Sequence, residues 1–349
     1  MRRLIRVLMV FGSFALALLV LSLALSLLGR SPESTLYAMF SGAFGSWFGL
    51  TETLLRTVPI LLCAMAAAVP AESGQVNIGG EGQFYLGAIG TVLAASAVGE
   101  SSPIIAIPLM VIMALVLGML WAAIPAILRA YLGISEALVT LFLNYVAFFL
   151  LGYLVHGPLR DPESKGWPMS TQLPKSLLME PLAGTRLHSG VIVVLILTII
   201  LICVIRYTRW GTELRAVGLN PRAGTIVGIP VSFYLLGSMI VGGALAGLAG
   251  YYEITAIQHR LRLDFSSGFG YSGFLVAWIC RKQLMLIIPI AILVAGLSVS
   301  SENLQITSKL PAASADVVQG FLLLFVLLSR SLTAMFERRR AIRLTMERV

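Results

Sequence analysis

Residues 103–128, PIIAIPLMVIMALVLGMLWAAIPAIL, decide the fold of this chain, because they form a long apolar run without a charged side chain. About 20 such residues cross the hydrocarbon core of a bilayer as an α-helix. Backbone N–H and C=O groups in a bilayer must be bonded within the segment, which favours a helix over an isolated strand. The run therefore predicts a transmembrane helix.

The composition of the whole chain supports this prediction. Of its 349 residues, 58% are hydrophobic and only 12% are charged, and the mean hydropathy is +0.92. Soluble domains carry about 25% charged residues, so half that share indicates an integral membrane protein. The net charge of +9 fits basic residues gathered in cytoplasmic loops, and we predict no nucleic-acid binding.

Similar apolar runs recur along the chain and predict an all-α, polytopic transmembrane bundle of about ten spans, a single domain over residues 1–349. The run at 7–28 exceeds the hydrophobic part of a secretory signal, about 7–15 residues, so we interpret it as a retained first helix. The runs at 269–280 and 284–300 are the weakest and could be half-helices or one broken hairpin. The ten predicted spans are 7–28, 53–71, 83–99, 103–128, 136–156, 189–205, 231–251, 269–280, 284–300 and 315–332.

The distribution of Lys and Arg predicts the orientation of these helices. With the N-terminus inside, most of the 25 basic residues fall in cytoplasmic loops and tails, where positive charge is enriched. Both termini and the segment 206–230 then lie in the cytoplasm, and the long loop 157–188 lies outside. One miscounted span would reverse the middle of the chain, so this orientation depends on the number of helices.

The segment Tyr207–Pro230, YTRWGTELRAVGLNPRAGTIVGIP, is a basic insert between two apolar runs. Thr212 can cap a first short helix, which Gly218 would end. Asn220 followed by Pro221 signals the start of a second helix. Two capped helices with basic and apolar faces suit a groove in a partner protein, although a basic loop lying on lipid headgroups is the alternative.

A second polar element is Asn77–Gln83, NIGGEGQ, at the start of an apolar run. Its glycines allow a tight backbone path, and a Gly-rich break beside a helix start resembles the discontinuous helices of transporter binding sites. A plain polar loop, with Glu81 only complementing the helix dipole, explains the pattern equally well. The functional interpretation predicts a translocation pathway formed by Asn77, Gly79, Gly80, Glu81, Gln83 and Asn144.

Two further polar side chains lie in the run at 136–156. Asn144, near its middle, either lines the pathway or forms a hydrogen bond between two helices. Glu136, at its start, is explained by the helix dipole alone.

The run VGGALAGLAGY at 241–251 places small residues four apart. This spacing lets two transmembrane helices approach closely, so we assign helix packing to Gly243, Gly247 and Gly250.

Motifs of other mechanisms are missing from the sequence. It has no nucleotide-binding G-x-x-x-x-G-K-[ST] motif and no chain of mid-span acidic or histidine residues for a proton relay. Cys63, Cys203 and Cys280 are far apart in apolar runs, and neither they nor the three histidines have metal-ligand spacing. The sequence thus argues against an enzyme, a metal site and an ion-coupled transporter, although backbone carbonyls can also hold sodium.

These motifs resemble the permease subunits of ATP-binding-cassette importers, in the branch of branched-chain amino acid, ribose and nucleoside permeases. RWGTELRAVGLNPRAGTIVGI, at 209–229, is similar to the cytoplasmic loop that seats a coupling helix in a cleft of the ATPase subunit. NIGGEGQFYLGA, at 77–88, is similar to the signature of nucleoside or simple-sugar permeases. The first motif implies ATPase-coupling roles for Glu213, Leu214, Arg215, Ala216, Gly218, Asn220 and Pro221.

The resemblance covers about residues 54–330 and implies a type II importer-like permease of a bacterial cytoplasmic (inner) membrane. Its substrate would be a nucleoside or a similar ribose- or ribityl-containing molecule; riboflavin, a simple sugar, or ion-coupled secondary transport are the alternatives. The implied partners are ATPase subunits, a second homologous permease or a second copy of the chain, an extracytoplasmic substrate-binding lipoprotein and membrane lipid. ATP would bind to the partner, so the chain itself would need no cofactor.

The sequence departs from the family pattern at two places, of which the first favours an atypical substrate. The stretch 278–283 reads WICRKQ where the family has Gly followed by Pro, and Ala223-Gly224 replaces paired alanines.

Overall fold

The computed structural model describes residues 31–99, 102–182, 184–280 and 283–308, with the single positions 22, 23, 26 and 320. In this part of the chain the regular structure is helical apart from isolated bridge pairs, in agreement with the predicted all-α class. The α-helices are α1 Pro32–Phe44, α2 Trp47–Glu72, α3 Gly80–Val98, α4 Pro103–Leu132, α5 Glu136–His156, α6 Gly190–Tyr207, α7 Arg209–Leu219, α8 Pro221–Ile226, α9 Val231–Glu253, α10 Phe269–Cys280 and α11 Ile287–Ser308.

Proline and glycine mark the ends of several helices. Pro103 and Pro221 occupy the first positions of α4 and α8, where the fixed φ suits a helix and the missing N–H would be unpaired anyway. Gly133 ends α4 in the left-handed conformation, with φ 68°, and its N–H bonds to the carbonyl oxygens of Leu128 and Arg129.

Six segments of the described residues are long and apolar enough to cross a membrane. The count of about ten spans is therefore not confirmed. The predicted runs 83–99 and 269–280 do form helices, α3 and α10, but these do not meet the same limits of length and hydropathy. The predicted runs 7–28 and 315–332 lie outside the described ranges. The six segments are Trp47–Glu72, Pro103–Leu132, Glu136–His156, Gly190–Tyr207, Val231–Gln258 and Leu284–Glu302.

The chain divides into two compact units, residues 54–294 and the terminal parts 1–53 with 295–349. In the first unit, α3, α4 and α9 pack against one another. Their backbones touch at glycines: a Cβ on Gly87 would lie 2.2 Å from the carbonyl oxygen of Gly247, and a Cβ on Gly118 would lie 2.3 Å from that of Gly243. Close helix crossings of this kind are typical of small residues in membrane bundles.

The second unit joins α1 to part of α11. The hydroxyl of Ser300 donates to the carbonyl oxygen of Met39 at 2.6 Å, and a Cβ on Gly296 would meet the ring of Phe44 at 2.6 Å. The short connection between α1 and α2 is closed by the Thr53 hydroxyl, which donates to the carbonyl oxygen of Ala43.

Loop 157–188 and the segment 254–268 form a cap at the N-terminal end of α6. Backbone N–H groups of the loop donate to the segment at 2.9–3.1 Å, from Ser170 to Leu261, from Leu173 to His259 and from Met179 to Thr255. Since α7 and α8 follow the other end of α6, a helix of 18 residues, about 27 Å separates the cap from these two helices.

Candidate functional site

The basic insert folds into α7 and α8, but its first helix differs from the predicted one. Thr208, not Thr212, caps α7, with its hydroxyl oxygen accepting from the N–H of Gly211 at 3.4 Å. Gly218 lies inside α7 and does not end it, because the helix continues to Leu219. The second helix begins as predicted: the side-chain oxygen of Asn220 accepts from the backbone N–H of Ala223 at 3.2 Å.

The inner face of α7 is fixed to the start of α9. Leu214 and Val217 are fully buried in a cluster with Tyr234, and Trp210 and Leu235 pack against it. Leu214 therefore faces the chain itself and is not available to a partner protein.

Polar contacts strengthen the same attachment. The carboxylate of Glu213 accepts from the hydroxyl of Tyr234 and from the guanidinium of Arg209, the latter at 2.6 Å. These two hydrogen bonds favour the charged form and hold the pKa of Glu213 below its ordinary value of 4.5. Arg215 donates to the carbonyl oxygen of Ile205 at 2.5 Å, so it ties α7 to the end of α6.

The backbone of α7 also touches the end of α2. A Cβ on Gly218 would lie 2.2 Å from the carbonyl oxygen of Glu72 and 2.9 Å from the backbone nitrogen of Gly74. Gly74 itself has φ +81°, a conformation that glycine adopts without strain. Only glycine at position 218 permits this approach, so α7 contacts both α2 and α9.

Large apolar side chains are exposed on the outer surface of the two helices. Leu219, Ile226 and Val227 are 88%, 87% and 78% exposed, and the predicted residues Asn220 and Pro221 are exposed beside them. We call Leu219–Val227 the α7–α8 corner. Its three large apolar residues were not predicted as site residues, although their presence in a polar insert was a usable signal.

The predicted pathway residues of Asn77–Gln83 come together and are buried. The amides of Asn77 and Gln83 face each other, at 3.1 Å from Asn77 Nδ2 to Gln83 Oε1 and 3.2 Å from Gln83 Nε2 to Asn77 Oδ1. Asn144 joins them from α5: its Oδ1 accepts from the N–H of Gly82 at 2.8 Å, and its Nδ2 donates to the carbonyl oxygen of Ile78 at 3.0 Å. One polar cluster therefore surrounds the start of α3.

Glu81 links the start of α3 to the start of α10. Its buried carboxylate accepts from the hydroxyl of Ser266 and, at 2.7 Å, from the N–H of Gly270. The two helix starts touch, since a Cβ on Gly270 would lie 2.1 Å from the backbone nitrogen of Glu81. Helix N-termini carry partial positive charge, so the carboxylate of Glu81 stabilises their meeting point. Gly80 lies at the same contact.

Aromatic rings cover one side of this junction. Phe84 stacks on Phe265 with ring centroids 5.2 Å apart, and Tyr85 meets Phe265 edge-on at 5.4 Å. Phe269 packs against Phe84 at 5.9 Å. Phe265 and Phe269 were not predicted as site residues, because nothing in the local sequence indicates that they fold back onto α3.

Trp121 of α4 adds an unused donor to the junction. Its indole nitrogen is buried near Gly82 and has no hydrogen-bond partner among the described residues. The junction thus offers one free N–H group beside a network whose amides are otherwise paired.

The cap contributes a buried histidine but no metal site. His188 stacks on Tyr252 at 5.8 Å, and burial lowers its pKa to about 4. Among the residues that the structure describes, no three His, Cys, Asp or Glu side chains are placed to hold a metal ion.

Known proteins are similar to this chain over most of its length. The family model described as branched-chain amino acid transport system / permease component matches residues 49–327. A glucose ABC transporter permease protein of Haloferax volcanii is 33% identical over 326 residues, covering 90% of this chain and 85% of that protein. A guanosine ABC transporter permease protein of Bacillus subtilis is 32% identical, with coverage of 85% and 86%. A probable riboflavin import permease protein of Treponema pallidum is 25% identical, with coverage of 82% and 76%.

Proposed function

The chain belongs to the family of branched-chain amino acid transport system permease components, and from this premise we propose that it is the transmembrane permease subunit of an ATP-driven importer for nucleosides or similar ribose- or ribityl-containing molecules. The relatives named for guanosine and riboflavin support this substrate class. The relative named for glucose supports a simple sugar as the alternative. As a permease the chain is a transport subunit with several membrane-crossing helices, not an enzyme.

The α7–α8 corner is the observation that carries the proposal of a separate ATPase. Its large apolar side chains are exposed, whereas the opposite face of α7 is locked onto α2 and α9. An exposed apolar surface on a rigidly attached element is typical of a protein interface. The sequence itself has no phosphate-binding motif. In this proposal a partner subunit binds ATP and docks on the corner.

The proposed mechanism is alternating access. ATP closes the pair of ATPase subunits, and the corner moves with them. Because Leu214 packs on Tyr234 and Gly218 touches Glu72, that movement reaches α9 and α2 together. These helices then shift relative to the junction of α3 and α10, where the pathway opens. Glu213 and Arg215 act in this scheme by holding α7 in place through Tyr234 and Ile205, and Ala216 is a half-buried residue of the same helix.

The junction at Glu81 suits a polar, uncharged solute. Opening it requires Ser266 and the N–H of Gly270 to leave the carboxylate, which frees three hydrogen-bonding groups for substrate hydroxyls. The unpaired indole N–H of Trp121 is a further donor. The rings of Phe84 and Phe265 offer a flat surface to a heterocycle.

The remaining proposed partners bind the outer side and the lateral surfaces of the membrane helices. In the proposed orientation both termini and the corner lie in the cytoplasm of a bacterial cell, and the cap of loop 157–188 lies outside, where a substrate-binding lipoprotein docks. A homologous permease or a second copy of the chain completes the pathway. Exposed apolar side chains on α4, α5 and α6, such as Ile104, Phe149 and Ile192, face membrane lipid.

Binding of the ATPase subunit tests this proposal. Leu219→Asp and Ile226→Asp place a charge on the corner and are expected to weaken co-purification of the ATPase by about tenfold or more, since hot-spot contacts commonly contribute about 2 kcal/mol or more. Trp167→Asp, at an exposed aromatic of the cap, is the matched control and should retain the ATPase. Normal ATPase binding by both corner variants would contradict the assignment. Uptake driven by an ion gradient in the absence of ATP would favour a secondary transporter.

A further inference from the structure

A polar stripe runs along one face of α5. Glu136, Thr140 and Asn144 are spaced four residues apart, so they lie above one another on the helix, and all three are buried. The helix is otherwise apolar and is a candidate membrane span. Buried polar groups at this depth need hydrogen-bond partners, so the stripe must face something polar.

The partner of the stripe is the backbone between α2 and α3. This stretch is not helical from residue 75 to residue 78, so the N–H groups of Val76 and Ile78 lack the carbonyl partners that a helix would supply. Each side chain of the stripe accepts from one backbone N–H group in or just beyond this stretch. The pairs are Val76 N–H to Glu136 Oε1 at 3.0 Å, Ile78 N–H to Thr140 Oγ1 at 3.2 Å, and Gly82 N–H to Asn144 Oδ1 at 2.8 Å.

The stripe is itself held firmly at its first residue. The other oxygen of the Glu136 carboxylate pairs with the guanidinium of Arg129 at 3.3 Å. At the far end, the side chain of Asn144 makes two hydrogen bonds to the stretch: it accepts from the N–H of Gly82 and donates to the carbonyl oxygen of Ile78. The stretch is thus fixed to α5 over eight residues, about 12 Å along the helix axis.

The first end of this stretch is joined to α7 and α9. The amide of Gln75 donates to the hydroxyls of Ser73 and Ser238 and to the carbonyl oxygen of Leu235, all at 2.9 Å. Gly74, the residue before it, is in backbone contact with Gly218 of α7. A movement of α7 therefore acts directly on this end.

The second end carries the residues of the junction. Asn77 is bonded to Gln83, and Glu81 accepts from the start of α10. Only a few residues of chain separate the contact with α7 from these groups.

We propose that residues Ser73–Gly82, the transmission segment, carry the movement of α7 to the junction of α3 and α10. The α5 stripe holds the segment in position along α5 through its three hydrogen bonds. This inference rests on the proposed function. It makes Gln75, Glu136 and Thr140 positioning residues, which act through the segment and do not contact the transported molecule. When one hydrogen bond of the stripe is lost, the segment deforms and no longer transmits the movement of α7. ATP hydrolysis then continues without the corresponding movement at the junction.

Thr140→Val tests the inference, because it keeps the shape of the side chain and removes the acceptor for Ile78. Thr198→Val is the matched control: Thr198 is also buried in a membrane helix, but its hydroxyl bonds only to Val194 in its own helix. Thr140→Ser restores the hydroxyl and should restore coupling. Gln75→Met removes the contacts at the other end of the segment and serves as an independent second variant.

The experiment uses the full complex with its ATPase and binding protein in proteoliposomes. A mixture of radiolabelled guanosine, riboflavin and glucose is the probe, and uptake is divided by ATP hydrolysed. Thr140→Val and Gln75→Met are expected to lower this ratio about fivefold to tenfold, the effect of one or two lost hydrogen bonds, with hydrolysis close to wild type. An unchanged ratio, or a fall of uptake and hydrolysis in proportion to lost complex, would overturn the inference. Failure of the wild type to take up any probe with ATP would instead refute the proposed function.

Discussion

Replacing Gly218 by alanine separates α7 from α2 by an amount that the structure defines. The added Cβ would lie 2.2 Å from the carbonyl oxygen of Glu72, whereas ordinary contact begins at 3.4 Å. The helix would therefore have to retreat by about 1.2 Å, because the atoms on both sides belong to the backbone and cannot rotate away. Overpacking of this kind costs about 1–3 kcal/mol. We expect Gly218→Ala to insert into the membrane normally but to transmit ATP-driven movement poorly.

The assay compares uptake and ATP hydrolysis of the complete complex in proteoliposomes. A loss of about 1–3 kcal/mol in the attachment corresponds to a fall in uptake of about fivefold to 150-fold, with the ATPase still bound. Gly237→Ala is the matched control, since this glycine also lies inside a helix but nothing lies within 4 Å of its added Cβ. Wild-type uptake by Gly218→Ala would refute the conclusion that the contact with Glu72 transmits movement.

Three other predictions follow from buried groups. Leu214→Ala should destabilise the docking of α7 by about 2–5 kcal/mol, seen as faster proteolysis within the insert, and an unchanged cleavage rate would contradict the burial. The pKa of His188, about 4 against an ordinary 6.5, means that the unfolded chain binds a proton first as the pH falls, so stability should be lost between pH 6.5 and about 4. Thermal unfolding across this range should show the loss, and His188→Phe should abolish it; an equal loss in the variant would contradict the assignment. Gly247→Val should prevent the crossing of α9 with α3 and α4 and lower the yield of folded protein severalfold, because even one Cβ would meet the carbonyl oxygen of Ala114 at 2.2 Å; normal yield would contradict the contact.

Apolar runs predicted the candidate membrane helices well, because a helix that crosses lipid needs apolar side chains over its whole length. The predicted run 136–156 coincides with α5, and 103–128 falls four residues short of the end of α4. Lipid cannot hydrogen-bond to a backbone, so length and hydropathy alone mark such helices. The number of spans was less predictable, since α3 and α10 begin inside the bundle, where polar residues of the chain replace the water of a loop.

The contacts of the site were only partly readable from the sequence. The four-residue spacing of Glu136, Thr140 and Asn144 was available as a signal, but Glu136 was explained by the helix dipole and Thr140 was passed over. The three-residue spacing of Leu214 and Val217 likewise fits one buried face of a helix. The pairing of Glu81 with Ser266 joins residues 185 positions apart, and no local pattern reports a contact of that kind.

ATP-dependent uptake tests the central claim most directly. Proteoliposomes that contain the chain with its ATPase and binding protein are loaded with ATP or with a non-hydrolysable analogue, and uptake of radiolabelled guanosine, riboflavin and glucose is measured without ion gradients. An importer permease coupled through the α7–α8 corner predicts accumulation of one of these solutes with ATP alone, and its loss in Leu219→Asp. Equal uptake with the analogue, or uptake that appears only when an ion gradient is imposed, would contradict the account.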